Sequence, residues 1–328
     1  MKNYPINPEM IQRKKNRAHL PIYFLLAILA WGGYGCETDV EIPIDYTEPK
    51  LVVNSVFGND DTAKVWVTAS KYILDQKPIV SIDDAQVEVR NSQGDVWILV
   101  HDEDGWYRNP LWQIMPGETY ELTVEHPSYV PVSAWNQVPV APQFNAIGFG
   151  NWITVMEDGW DYRYREVEVR FNDPQGSDFY LLKFAMLTPR IDWDYQNNTD
   201  GDTVWEEYPV ELRTMNSEGG LDAYDFRSSF LISDVLFDGG EYVFSALMDE
   251  YYFQGYDGDQ HLRVYLHRIS EAYYYYASSL ENYQETGDFF FFSQPVQVYT
   301  NIENGLGIFA GYSAVNDSIK IEKIPWDK

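Results

Sequence analysis

Cysteine is almost absent: Cys36 is the only one among 328 residues. A single thiol excludes an internal disulfide, so a hydrophobic core must hold the fold together. Positive charge is also scarce. Lys and Arg total 23 against 51 Asp and Glu, a formal net charge of −28. Nucleic acid and anionic lipid surfaces are bound through Lys and Arg that neutralise phosphates, so this balance argues against both as partners of the folded body. Long apolar runs are limited to Leu20–Trp31, which is shorter than the roughly 20 residues needed to cross a hydrocarbon core. Catalytic signatures are missing as well. There is no HExxH and no GxSxG, and the histidines after residue 35 are His101, His126, His261 and His267. His261 and His267 fall on the outer face of one expected strand, about 20 Å apart, too far to share a metal. No catalytic residue is assigned, and the chain reads as a non-enzyme.

What is present at the N-terminus has an order of its own. Arg13, Lys14, Lys15 and Arg17 precede the apolar run, and Gly33, Tyr34 and Gly35 lead into Cys36. A basic region, a short apolar region and small residues are the parts of a secretory signal. The segment resembles a bacterial lipoprotein signal, although Gly33 stands where such signals usually carry leucine. The expectation is a signal peptide over 1–35, lipid attachment at Cys36 and a tether over 36–48. Glu37, Asp39 and Glu41 follow at once and resemble the acidic tag that sends Bacteroidetes lipoproteins to the outer face of the outer membrane. Losing residues 1–35, with five Lys/Arg against one acid, takes the net charge from −28 to −32.

The rest of the chain reads as mostly β, in keeping with an aromatic share of 16%. Strands are expected at Lys50–Phe57, Ala63–Ile73, Ala85–Arg90, Val96–Val100, Trp106–Tyr107, Thr119–Val124 and Val130–Val138, separated by polar glycine-bearing turns. Alternation is clearest where Ala85, Val87 and Val89 interleave with Gln86, Glu88 and Arg90. This spacing predicts a β-sandwich over 49–140, and its phrasing (DAQVEV, SQGDVW, PGETYELTV) resembles the transthyretin-like or Ig-like type. Pro139–Pro142 then reads as a stiff linker into a larger β-rich domain over 143–328. That domain carries alternating strands around 166–171, 180–186, 241–247 and 261–267, a long polar loop or exposed hairpin between Asp192 and Asn216, and a last strand at Asp317–Ile324. One helix is expected at about 269–284, with Ser270 as N-cap and Glu271 in the first turn. Its four consecutive tyrosines, Tyr273–Tyr276, must cover more than one face.

The C-terminal phrases ISEAYYYYASSL and PVQVYTNIENGLGIFAGYSA closely resemble the signature of the DUF4249 family, a group of Bacteroidetes lipoproteins. The Cys-acidic start and the N-terminal strand pattern resemble the same family. The resemblance implies a surface lipoprotein that works with a TonB-dependent outer-membrane transporter, and it carries no catalytic or ligand residues with it. A stand-alone glycan-binding or adhesive module is the alternative, with an undetected hydrolase behind it.

Candidate sites are few. Asn304-Gly305-Leu306-Gly307 completes no phosphate-loop pattern and reads as a tight turn entering a close-packed strand. Calcium is the one cofactor with candidates, because it takes oxygen ligands from clustered carboxylates. The best group is Asp192, Asp194, Asp200 and Asp202, ahead of Asp102–Asp104 and of Asp257 with Asp259. Tryptophans in polar settings, Trp152, Trp160, Trp193 and Trp205, could stack on sugars or anchor a protein interface. Trp193 and Trp205 border the polar segment and are the first choices for ligand or partner contact.

Overall fold

The computed structural model describes residues 47–72, 75–157, 159–194, 199–215, 221–254, 259–287 and 297–324. The expected signal peptide, Cys36 and nearly all of the tether lie outside them. Within 49–140 eight strands form: β1 (Leu51–Gly58), β2 (Lys64–Ala69), β3 (Val80–Ser81), β4 (Gln86–Asn91), β5 (Val96–His101), β6 (Trp106–Arg108), β7 (Thr119–Glu125) and β8 (Val132–Gln137). The period of two decides which side is buried. On β7, Tyr120, Leu122 and Val124 are at most 1% exposed, whereas Glu121 and Glu125 face water. Val53, Val65, Val67, Val87 and Val89 complete the same core.

Ten more strands and one helix follow: β9 (Gln143–Glu157), β10 (Trp160–Asp173), β11 (Phe179–Asp194), β12 (Thr199–Pro209), β13 (Leu212–Met215), β14 (Leu221–Arg227), β15 (Ser229–Ser233), β16 (Gly240–Asp249), β17 (His261–Ile269), α1 (Glu271–Gly287) and β18 (Leu306–Lys320). The sheet β14-β13-β16-β10-β9 faces the strands β12-β11-β17. Between them lies a second core with Val167, Val169, Phe171, Leu182, Phe184, Val264 and Leu266. The fold is therefore mostly β with a single described α-helix, as the alternation predicted. The expected polar loop after Asp192 is the β11–β12 hairpin.

The last strand differs from its expected position. It begins at Leu306, pairs in parallel with β1 from Val52↔Leu306 to Gly58↔Tyr312, and pairs antiparallel with β17 from Ile269↔Tyr312 to His261↔Lys320. The turn that admits it has Asn304 at φ 60° and Gly307 at φ 105°. One strand thus belongs to both halves, and a single 13-stranded sheet runs from β12 through β18 and β1 to β8. The first core borrows Ile302 and Phe309 from this end of the chain. Glu303 N also donates to Ser133 O at 2.8 Å, an isolated bridge between β8 and the segment leading into β18. Residues 48–328 accordingly form one compact unit that the linker at 139–142 does not interrupt. Parallel pairing between strands some 250 positions apart leaves no local pattern, so alternation alone placed the strand too late.

The helix starts as its cap predicts, with Tyr273 N donating to Ser270 Oγ at 3.4 Å and Tyr274 N to Ser270 O at 3.0 Å. Ile269 belongs to β17 rather than to the helical stripe. The tyrosines divide between faces: Tyr273 and Tyr276 pack with Ala272 on Ile308 and Ala310 of β18, while Tyr274 stacks on Phe179 at 4.5 Å. Tyr275 and Tyr283 remain exposed. The helix so covers the outer face of β11, β17 and β18, which alternation alone had left open to water.

His267 lies on the same outer face of β17 as Ile269. Expected on an outer face, it is 4% exposed and stacked on Tyr312 at 4.9 Å. Burial lowers its pKa to about 4; the Lys183 charge adds to this, and Asp60 opposes it. Between that value and about 6.5 for a free histidine, the unfolded chain binds a proton that the folded chain does not. The contribution to stability is therefore complete above about pH 6.5 and is lost as pH falls toward 4, up to roughly 3 kcal/mol. Chemical denaturation at steps between pH 7.5 and 4 should show this slope, and His267→Phe should flatten it. An unchanged slope in the variant would remove His267 as its source.

Candidate functional site

Two aspartate-bearing turns meet beside the junction of the halves. The first, NDPQGSD at 172–178, joins β10 to β11, and the second, SDVLFDGG at 233–240, joins β15 to β16. Proline, glycine and aspartate end strands and make turns, which is why the chain reverses at both places. The turns are laced together. Asp178 N donates to Asp234 Oδ2 at 2.6 Å, Asp234 N to Asp178 O at 3.2 Å, and Gly176 N to Asp238 Oδ1 at 2.9 Å. Asp173, at the end of β10, accepts from Tyr180 OH at 2.6 Å on Oδ1 and from Gly239 N at 2.8 Å on Oδ2.

The result is a group of three buried carboxylates. Asp173, Asp178 and Asp234 are 4%, 8% and 3% exposed, and each offers an oxygen within 4.8 Å of the others. Among the described residues, the cation bonded to this group is Arg268 of β17, whose Nε and Nη2 lie 2.8 and 2.5 Å from Asp178 Oδ1. The other oxygen, Asp178 Oδ2, is buried and accepts no hydrogen bond from any described residue. Burial raises the pKa of Asp234; the Asp178 amide offsets part of this, and the carboxylates of Asp173, Asp178 and Asp238 raise it further.

Asp178 and Arg268 also form part of the wall of a cleft of about 690 Å³ between the two halves. One side of the cleft is β8 with the Pro139–Val140 segment. The other is made by the start of β11, the end of β17, the first turn of α1 and the segment around Tyr299–Glu303. Glu121, Glu271 and Glu303 join Asp178 along it, and among the described residues Arg268 is the only positive side chain lining it. Trp135, 69% exposed, and Tyr299 supply aromatic surface. Among the described residues no histidine, lysine or cysteine lines it. The cleft therefore offers negative charge and aromatic faces, suited to a cationic or amphipathic ligand.

The residues singled out from sequence lie elsewhere. Asp192 and Asp194 sit on β11, and Asp200 and Asp202 on β12, of one hairpin, where Trp193 pairs with Asp200 and Asp194 with Thr199. The side chains of these four acids and of Trp193 lie outside what the structure describes, as does Asp257. Trp205, on β12, is half-exposed with its ring edge-on to His261 at 5.7 Å. Trp160 is exposed, whereas Trp152 packs against Phe253 under the guanidinium of Arg163. Asp102 is held by Arg108, and Asp259 by Lys320 at 2.7 Å. Among the described residues, the group of carboxylates close enough to share an ion is the one that sequence reading passed over. Asp178 and Asp234 are 56 positions apart, and each looks like an ordinary turn aspartate until the sheets bring the turns together.

The fold is mostly β, with two cores joined through one shared strand and an acidic cleft at their junction. The chain belongs to the DUF4249 family: the model of that domain of unknown function matches residues 37–318. No curated protein matches the sequence. Among solved structures, the chain is similar to the B domain of a biofilm-associated protein, at 7% identity and a TM-score of 0.17, over 81% of this chain and 85% of that one.

Proposed function

We propose that the protein is a non-enzymatic binding lipoprotein of the outer membrane, anchored through Cys36 with its body facing outward, and an accessory of a TonB-dependent transporter. The acidic, aromatic cleft at the junction carries the binding part of this reading. Four carboxylates and Trp135 line it without a nitrogen base, an arrangement that favours holding a partner over turning over a substrate. The lipoprotein-like signal and the family resemblance support the anchor and the transporter. Among the described residues no helix is long and apolar enough to cross a membrane.

The test is purification of the native lipoprotein from detergent-solubilised outer membranes, followed by mass spectrometry. A stoichiometric β-barrel transporter, lost on Trp135→Ala, is the expected result. A second reading rests on exposed tryptophans outside the cleft, Trp205 at 49% and Trp160 at 71%, which suit stacking on sugars. A protein that stays monomeric across detergents and salt, and binds a glycan array until Trp205 is changed to alanine, would replace the first reading with the second.

A further inference from the structure

We propose that Asp173, Asp178 and Asp234 form a calcium site, built where the two aspartate turns meet. The donor set is three carboxylates, hard oxygen ligands of the kind that bind calcium or magnesium. Oxygens bound to one Ca²⁺ at about 2.3–2.6 Å lie within roughly twice that distance of one another. The mutual spacing here, within 4.8 Å, meets that limit.

Two further observations point to a cation. Asp178 is 8% exposed, and its Oδ2 is shut off from water with no described donor reaching it. A buried carboxylate oxygen without a partner is costly, and an ion is one way to satisfy it. The charge is also unbalanced. Among the described residues, three buried carboxylates have one guanidinium bonded to them, and it is engaged at Oδ1 of Asp178. Tyr180 OH and Gly239 N orient Asp173, and Asp178 N orients Asp234, as outer hydrogen bonds do around metal ligands. Each oxygen so engaged retains a second lone pair for a metal.

Calcium fits better than magnesium for a physical reason. Mg²⁺ demands near-octahedral geometry at about 2.0–2.1 Å and gives up water reluctantly, whereas Ca²⁺ accepts irregular sets of six to eight oxygens. Carboxylates from two separate turns, each also hydrogen-bonded to protein, make an irregular set, and water completes it. The ion joins the 172–178 turn to the 233–240 turn directly behind the cleft wall formed by Asp178 and Arg268. The assignment does not depend on which partner the cleft takes.

The test uses the full chain in detergent, stripped with EDTA and titrated with CaCl₂ under calorimetry and thermal denaturation. One Ca²⁺ per chain is expected, with a dissociation constant on the order of 10⁻⁴ to 10⁻³ M, as in extracellular modules. At ten times that concentration the melting temperature should rise by about 3 °C. Mg²⁺ should bind at least about tenfold more weakly. Asp234→Asn keeps the side-chain shape and should abolish both binding and the calcium-dependent rise, while Asp192→Asn on the β11–β12 hairpin leaves them intact. Terbium luminescence sensitised by Tyr180, displaced by Ca²⁺, gives an independent readout. The absence of saturable calcium binding in the unaltered protein overturns the proposal. So does binding that survives Asp234→Asn. If the cluster is only a group of repelling charges, Asp234→Asn melts higher than the unaltered protein and neither responds to calcium. Equal binding of Mg²⁺ overturns the assignment to calcium.

Discussion

Gly307→Ala should cost more than about 4 kcal/mol and leave little folded protein at 37 °C. Gly307 enters β18 at φ 105°, a conformation that L residues rarely adopt. An added Cβ would stand 2.8 Å from the Val53 carbonyl carbon and closer still to its oxygen. That carbonyl belongs to β1, the strand beside β18, so relief requires the parallel pairing to open. The loss would spread because β18 is the strand shared by both halves and β1–β18 is their only backbone ladder in the described sheet. A whole domain is typically stable by only about 5–15 kcal/mol, so such a cost consumes a large part of it. Gly94→Ala separates the two contributions. Gly94 has a similar φ of 93°, but nothing lies within 4 Å of its Cβ position. That variant should lose only about 1–2 kcal/mol. Guanidinium denaturation of both variants is the measurement, and equal losses would show that the close approach to β1 does not matter.

Arg213→Met should destabilise by about 3–5 kcal/mol. Arg213, on β13, is 2% exposed although it carries a full charge. Its Nη1 and Nη2 reach the two oxygens of Glu157 at 3.2 and 2.9 Å, and Nη1 also donates to Tyr164 OH at 2.7 Å. The guanidinium therefore pins the end of β9 and the middle of β10 to β13. Desolvation works against its charge, but the bonds to Glu157 and Tyr164 outweigh this and raise its pKa. Methionine fills much of the space but leaves Tyr164 OH, on a residue 2% exposed, without its acceptor role. Lysine keeps the charge and loses the fork, so Arg213→Lys should fall between the two. Adding Tyr164→Phe to Arg213→Met should recover part of the loss in a double-mutant cycle. Strict additivity in that cycle would show that the two side chains act separately.

Much of the architecture was legible in advance because period-two alternation records which face of a strand is buried. Tyr120, Leu122 and Val124 announced β7, and Leu262, Val264 and Leu266 announced β17, each within a residue or two of its observed bounds. The Ser270 cap and the close-packed glycine turn at 304–307 were equally plain, since both depend on neighbours in sequence. The second face of β11 and β17 was not legible. Leu181 is buried in a cluster with Tyr273 and Tyr274 of α1 and His267 is stacked on Tyr312 of β18, and cover of that kind leaves no mark on the strand beneath.

The candidate site divides in the same way. Asp173, Asp178 and Asp234 belong to two short turns, at 172–178 and 233–240, that no sequence pattern singles out. Nothing in one turn reveals the acids of another, whereas the dense run at Asp192–Asp202 stands out in the sequence. Composition, charge balance, strand and helix identity and the N-terminal lipoprotein-like pattern follow from the sequence by itself, because each depends on residue type or on neighbours a few positions away. Tertiary structure alone decided that β18 would join two cores into one unit, that His267 would lose contact with water, and that three turn aspartates would share one buried space. Those outcomes depend on contacts between segments distant in the chain, and the energy of such contacts exists only once the sheets have formed.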